Sequence, residues 1–262
     1  MDPVVFAESF NDTFFFAQSK YHSKWLPTNP GPCCFTGFKH DGKPSGETIS
    51  IGKGLAYIAK PNGDIKVNQA VLVLSDVFGL FNNSKLLSDD FATNGYLVVL
   101  PDLLSGDQMD VGDFEAGKTD IPDWISRHGT DAADPIVQST LDHMRENLGI
   151  PKIAAAGYCF DGNSGKIDIG YSAHRSFVSD EELAAIENPF SISAAEVDGI
   201  FTREHRYKSE KILNKTGKPY QLKIFSGVKH GFGIRADLSK PHNKYAKEQA
   251  FLQALAWFEL EL

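Results

Sequence analysis

Cysteine is scarce in this chain, with three in 262 residues. Two of them form the adjacent pair Cys33-Cys34, so the odd count builds no disulfide framework and fits a reducing, cytosolic setting better than an oxidising one. The pair also lacks the CxxC spacing of a metal site. No uninterrupted apolar stretch reaches about 18 residues, which argues against a membrane span. No block of Lys and Arg occurs anywhere, and the formal charge is −8. Phosphate binding needs concentrated basic residues, so a broad nucleic-acid surface is not expected. The start, Met1 to Trp25, contains Phe14-Phe15-Phe16 but lacks a basic leading segment and a long apolar core, so it does not read as a signal peptide. Short-period repeats and low-complexity tracts are missing too.

What is present is the composition of an ordinary globular domain, 42% hydrophobic and 23% charged. Residues 1–31 end in a run of prolines and glycine around Pro27 to Gly31 and read as an amino-terminal extension. Residues 32–262 read as a single domain. Within it, Glu47 to Lys60 suggests one or two edge strands, closed by the turn Pro61-Asn62-Gly63-Asp64. Ala70 to Leu74 and Tyr96 to Leu100 read as buried strands, with a helix between them capped by Asn82 or Asn83 and ended by Gly95. Pro101 to Gly129 is polar and punctuated by Gly and Pro, as in a long surface excursion with a short helix. Pro135 to Leu148 has helical spacing. Further strands are expected at Lys152 to Gly157, Ile167 to Ala173, Phe190 to Ala195 and Tyr220 to Phe225. The intervening helices begin at the capping box Ser179-Asp180-Glu181-Glu182 and at Arg203, and a last one covers Asn243 to Leu260. Strands alternating with helices imply an α/β fold, a mostly parallel sheet with helices on both faces.

Three reactive residues sit just past the ends of predicted parallel strands: Cys159, Asp198 and His230. In open α/β sheets that edge is where ligands bind. The intervals between them are 39 and 32 residues, each long enough for a helix and a strand, so a triad is geometrically permitted. A thiol is mostly neutral near pH 7, so His230 would accept its proton and Asp198 would hold the imidazole in the right tautomer. The thiolate would then attack an acyl carbon. Backbone N–H groups of Phe160 and Val77 are the natural oxyanion donors. Asp76, beside Val77, places a second carboxylate near the thiol and could hold it protonated until substrate arrives. His174 and His205 read as structural or surface residues.

The motifs Gly157-Tyr158-Cys159-Phe160, Asp76-Val77-Phe78-Gly79, Ala194-Ala195-Glu196-Val197-Asp198 and His230-Gly231-Phe232 closely resemble the dienelactone hydrolase family, particularly its fungal cytosolic members. The resemblance runs from about residue 32 to the end. It implies an α/β-hydrolase fold, with Cys159 as nucleophile, Asp198 as acid and His230 as base. It further implies small-molecule enol lactones or activated esters as substrates, cleaved without metal or cofactor, and Arg235 as a candidate for binding a substrate carboxylate. No nucleic-acid or membrane partner follows from it. One departure stands out. Family members usually place a helix of several turns after the nucleophile, whereas only seven residues, Phe160 to Lys166, lead from Cys159 to the next apolar run. A parallel crossover takes roughly a dozen residues or more. The helix after the nucleophile strand is therefore expected to be missing or shortened, and hydrolase activity to be impaired. The alternative is an inactive family member that binds a small molecule or a protein.

Overall fold

The computed structural model describes residues 42–62, 68–110, 112–113, 116, 118–159, 166–176 and 178–262. The expected extension 1–31, the pair Cys33-Cys34 and Phe160 lie outside the described residues. Among the described residues eight strands form one sheet: β1 (Glu47–Ile51), β2 (Gly54–Ala59), β3 (Gln69–Leu74), β4 (Leu97–Pro101), β5 (Lys152–Tyr158), β6 (Ile169–Ala173), β7 (Phe190–Val197) and β8 (Tyr220–Lys229). Their spatial order is β1-β2-β4-β3-β5-β6-β7-β8. β2 runs antiparallel to both neighbours, and every pairing from β4 to β8 is parallel.

The central strands β3, β4 and β5 are near-continuous runs of Val, Leu and Ala because helices cover both of their faces. Helix α1 (Asn82–Thr93) and the final helix α6 (Pro241–Glu261) cover one face. There Phe91, Phe251, Trp257 and Phe258 pack on Val71, Ala154, Ala156 and Tyr171. Burying each such large apolar side chain contributes about 1.5–3 kcal/mol. The opposite face is covered by α3 (Thr130–Asp142), whose Val137 and Leu141 meet Leu72, Ile153 and Ala155. Further along, α4 (Asp180–Ala184) and α5 (Arg203–Thr216) supply Leu183 and Leu213 against Ile192 and Ala194. The capping box read at Ser179 is formed: its hydroxyl accepts from Glu182 N–H at 3.1 Å, and the Glu182 carboxylate accepts from Ser179 N–H at 2.7 Å.

Three local expectations shift. Neither Asn82 nor Asn83 caps α1; Phe81 stands at the cap position without a side-chain bond. The two amides are used elsewhere, Asn82 donating to Gly42 O at 3.5 Å and Asn83 to Ile234 O at 3.4 Å. Helix α3 begins at Thr130, with Pro135 inside it, so the proline costs one backbone bond without setting the boundary. The excursion after β4 also has more core than its polar composition suggests. Leu103, Leu104, Met109 and Trp124 are buried against the sheet. Trp124 lies on the short helix α2 (Ile121–Arg127) and donates from Nε1 to Asp107 O at 2.9 Å. Among the described residues no helix is long and apolar enough to cross a membrane.

Candidate active site

Strand register brings the three predicted residues to one edge. In β7 and β8, Val197 stands opposite Lys229 past an irregularity at Ala195 to Val197, so Asp198 and His230 leave the sheet side by side. In β5 and β6, Tyr158 stands opposite Ala173, so the next residues, Cys159 and His174, exit together. β3 lies on the other side of β5 with Leu74 opposite Gly157, which places Asp76 and Val77 at the same edge.

Cys159 adopts φ 76°, the left-handed region that side-chain-bearing residues seldom occupy. That is the strained strand-to-turn corner that lifts a nucleophile out of a sheet edge. Its N–H donates to Ala173 O at 3.3 Å. The thiol is buried and in no disulfide, and Sγ donates to Ser176 Oγ at 2.9 Å. Ser176 Oγ lies 3.3 Å from His230 Nε2, and His230 Nδ1 lies 2.9 Å from Asp198 Oδ2. Because an ionised carboxylate only accepts, Nδ1 carries the proton and Nε2 is left as an acceptor.

Asp198 is aimed by its own loop. Oδ1 accepts from the N–H groups of Ile200 at 2.8 Å and Phe201 at 3.0 Å, which turns Oδ2 toward the imidazole. Burial by itself raises its carboxyl pKa, but His230 and these two N–H groups outweigh burial and hold it below the ordinary value. His230 stacks edge-on against His174, ring centroids 5.0 Å apart. His174 is fully buried, and neither ring nitrogen has a hydrogen-bond partner among the described residues. Burial, reinforced by His230 and Arg235, drives its pKa well below the usual histidine value, so it stays neutral. The sequence reading of His174 as structural fits this place.

The fully buried carboxylate of Asp76 accepts from Arg235 Nε at 2.8 Å and from Phe78 N–H at 3.1 Å. Burial raises its pKa, opposed by Arg235, the Phe78 N–H and His230. The Arg235 guanidinium also lies over the Phe78 ring, 4.8 Å from its centroid. Val77 is half-buried and its carbonyl accepts from Met109 N–H at 3.0 Å. A cavity of about 290 Å³ opens beside Ser176, walled by Arg175, Leu183, Ile200, Phe201 and His205. Among the described residues no three His, Cys, Asp or Glu side chains converge as a metal site.

A strained cysteine at the carboxyl edge, a histidine on a shared strand boundary and an aspartate behind it can form a nucleophile, a base and an orienting acid. The model of the dienelactone hydrolase family matches residues 55–262. The chain belongs to the dienelactone hydrolase family. It is 44% identical over 237 residues to hydrolase pyvD of Aspergillus violaceofuscus, covering 87% of this chain and 96% of that one. It is also 40% identical over 245 residues to hydrolase tropI of Talaromyces stipitatus, covering 86% and 94%. A putative dienelactone hydrolase from Klebsiella pneumoniae has the same fold, with a TM-score of 0.66 at 17% identity over 82% of this chain and 98% of that one. The family placement supports a hydrolase of lactones or esters, and the fold is the α/β-hydrolase arrangement read from the sequence.

Ser176 is the site residue that sequence reasoning missed. The signal was available: it lies three residues past β6, the strand between those that deliver Cys159 and Asp198, and the same strand-end rule covers it.

Proposed function

We propose that this chain is a cofactor-independent hydrolase of carboxyl esters or lactones that works through Cys159, His230 and Asp198. The observation that carries the reading is Cys159 at φ 76° on the edge where His230 and Asp198 are 2.9 Å apart. His230 takes the thiol proton, Asp198 stabilises the imidazolium, and the thiolate attacks the acyl carbon; the C–O bond breaks, the leaving alcohol or enol oxygen takes the proton back from His230, and water then hydrolyses the thioester. The N–H groups of Val77 and Phe160 are the proposed oxyanion donors. A substrate carboxylate would meet the terminal nitrogens of Arg235, whose Nε is committed to Asp76. Asp76 is the proposed gate, since a nearby carboxylate disfavours thiolate; Arg235 offsets part of that charge.

The link from β5 to β6 spans residues 159–168, shorter than the usual helical crossover. Turnover is therefore proposed to fall below that of relatives with a full-length link. A Cys159 thiol outside any disulfide fits a reducing compartment such as the cytosol. Hydrolysis of an activated aryl ester and of an enol lactone, compared with a full-length relative and with Cys159→Ala, tests the reading. Turnover that is slow but abolished by Cys159→Ala supports it. Folded protein with no turnover favours the inactive, ligand-binding alternative, and turnover equal to the relative's removes the claim of impairment.

A further inference from the structure

The loop after β6 holds the nucleophile more closely than a neighbouring strand end needs to. Cys159 and Ser176 are joined twice. Ser176 N–H donates to Cys159 O at 2.9 Å, and Cys159 Sγ donates to Ser176 Oγ at 2.9 Å. The Cys159 N–H is bound to the end of β6 itself, through Ala173 O. The backbone bonds fix where the Ser176 hydroxyl sits, and the hydroxyl then lies between the thiol and the imidazole, 3.3 Å from His230 Nε2. Ser176 is buried, which limits competition from bulk water for either bond.

Bond directions follow from the donors available. His230 Nδ1–H points at the Asp198 carboxylate, so Nε2 is bare and accepts. A hydroxyl donates one bond and accepts others, so Ser176 can donate to Nε2 while accepting from the thiol. Thiol, hydroxyl, imidazole and carboxylate are then aligned head to tail.

We propose that Ser176 is a proton-relay and positioning residue for Cys159. The inference rests on the hydrolase reading of the same site. In the relay the Ser176 O–H bond breaks and its proton goes to His230 Nε2, giving the imidazolium paired with Asp198. At the same time the Cys159 S–H bond breaks and its proton goes to Ser176 Oγ. The hydroxyl is regenerated and now donates to the thiolate; no proton is gained or lost, and no co-reactant is needed. The new Ser176 O–H bond stabilises the thiolate, since hydrogen bonds to a charged form favour it. Ser176 is also among the residues that line the cavity beside the site.

The test is the pH profile of Cys159 alkylation by iodoacetamide, followed on the Cys159 peptide by mass spectrometry so that Cys33 and Cys34 do not contribute. Losing a hydrogen bond to a charged group should lower the thiolate fraction near neutral pH about 10- to 100-fold, moving the alkylation midpoint up by about one to two pH units. Ser176→Ala should show that shift. Ser176→Thr should keep the parent midpoint, and Ser176→Val, matched to threonine in shape, should show the shift again. A Ser176→Ala profile equal to the parent's overturns the proposal, as does a Thr profile that coincides with the Val profile. If Ser176→Ala does not fold, the Thr and Val pair decides. Alkylation needs no turnover, so ester hydrolysis that survives Cys159→Ala would remove Cys159 as the nucleophile while the profile still judges Ser176 by itself.

Discussion

Glycine at position 159 should remove the chemistry while relieving the backbone. With φ at 76°, any side-chain-bearing residue there strains the chain by about 1–2 kcal/mol, whereas glycine does not. Cys159→Ala and Cys159→Gly both lose the sulfur and its bond to Ser176, so their difference removes those losses. What remains is the buried methyl and the extra freedom of glycine in the unfolded chain, set against the strain. Ala156 supplies the control: it is fully buried on β5 at ordinary φ, so Ala156→Gly bears the same two losses with no strain to relieve. An alanine-to-glycine change at 159 should therefore be milder than the change at 156 by about 1–2 kcal/mol. For a domain of this size that is a difference of about 2–8 °C in Tm. Urea denaturation of parent, Ala156→Gly, Cys159→Ala and Cys159→Gly gives all the terms. If Cys159→Gly falls as far below Cys159→Ala as Ala156→Gly falls below the parent, the corner at Cys159 is not strained.

Three other outcomes follow from the site. Arg235→Met should destabilise the fold by about 3 kcal/mol, because it leaves the buried carboxylate of Asp76 uncompensated. Adding Asp76→Asn should recover much of that loss in the same melts, and a double variant as unstable as the single one would contradict the pairing. His174 should make stability depend on pH: its folded pKa lies below the unfolded value of about 6.5. Below about pH 6.5 only the unfolded chain takes up that proton, so stability should fall with pH by up to about 1.4 kcal/mol per unit. His174→Gln should remove that part of the slope, and identical slopes in denaturation at pH 5 to 7 would refute it. Asp198→Asn should lower kcat by roughly 10³- to 10⁴-fold with the fold intact, since it loses the carboxylate that fixes the His230 tautomer; an unchanged kcat in a pH 7 ester assay would exclude the assigned role.

Much of this architecture was legible because its causes are local. The apolar runs of β3 and β5 mark strands covered on both faces, and the Ser179 to Glu182 box marks a helix start, independent of what lies across the molecule. The three strand-end residues were legible for the same reason, as a parallel sheet sends every strand end to one edge. The asparagines at 82 and 83 were misjudged because their amides bond to Gly42 and Ile234, partners that sequence proximity does not reveal. Leu103, Leu104 and Trp124 were hidden in a polar stretch because their burial depends on how that excursion folds back over the sheet. Ser176 escaped notice because its place past β6 tells which edge it reaches but not what its hydroxyl touches. Its meaning comes from the β5–β6 register, which sets Ala173 opposite Tyr158 and so brings the following loop onto the thiol.

In the proposed reaction Cys159 forms a covalent acyl intermediate at this edge. The direct measurement is rapid-quench mass spectrometry of the protein mixed with an activated aryl acetate, with peptide mapping of the adduct. An acetyl thioester on Cys159 should form in the first turnover, decay as product accumulates, and be absent in Cys159→Ala along with the hydrolysis. Steady hydrolysis with no acyl group on Cys159, or hydrolysis undiminished in Cys159→Ala, would contradict it.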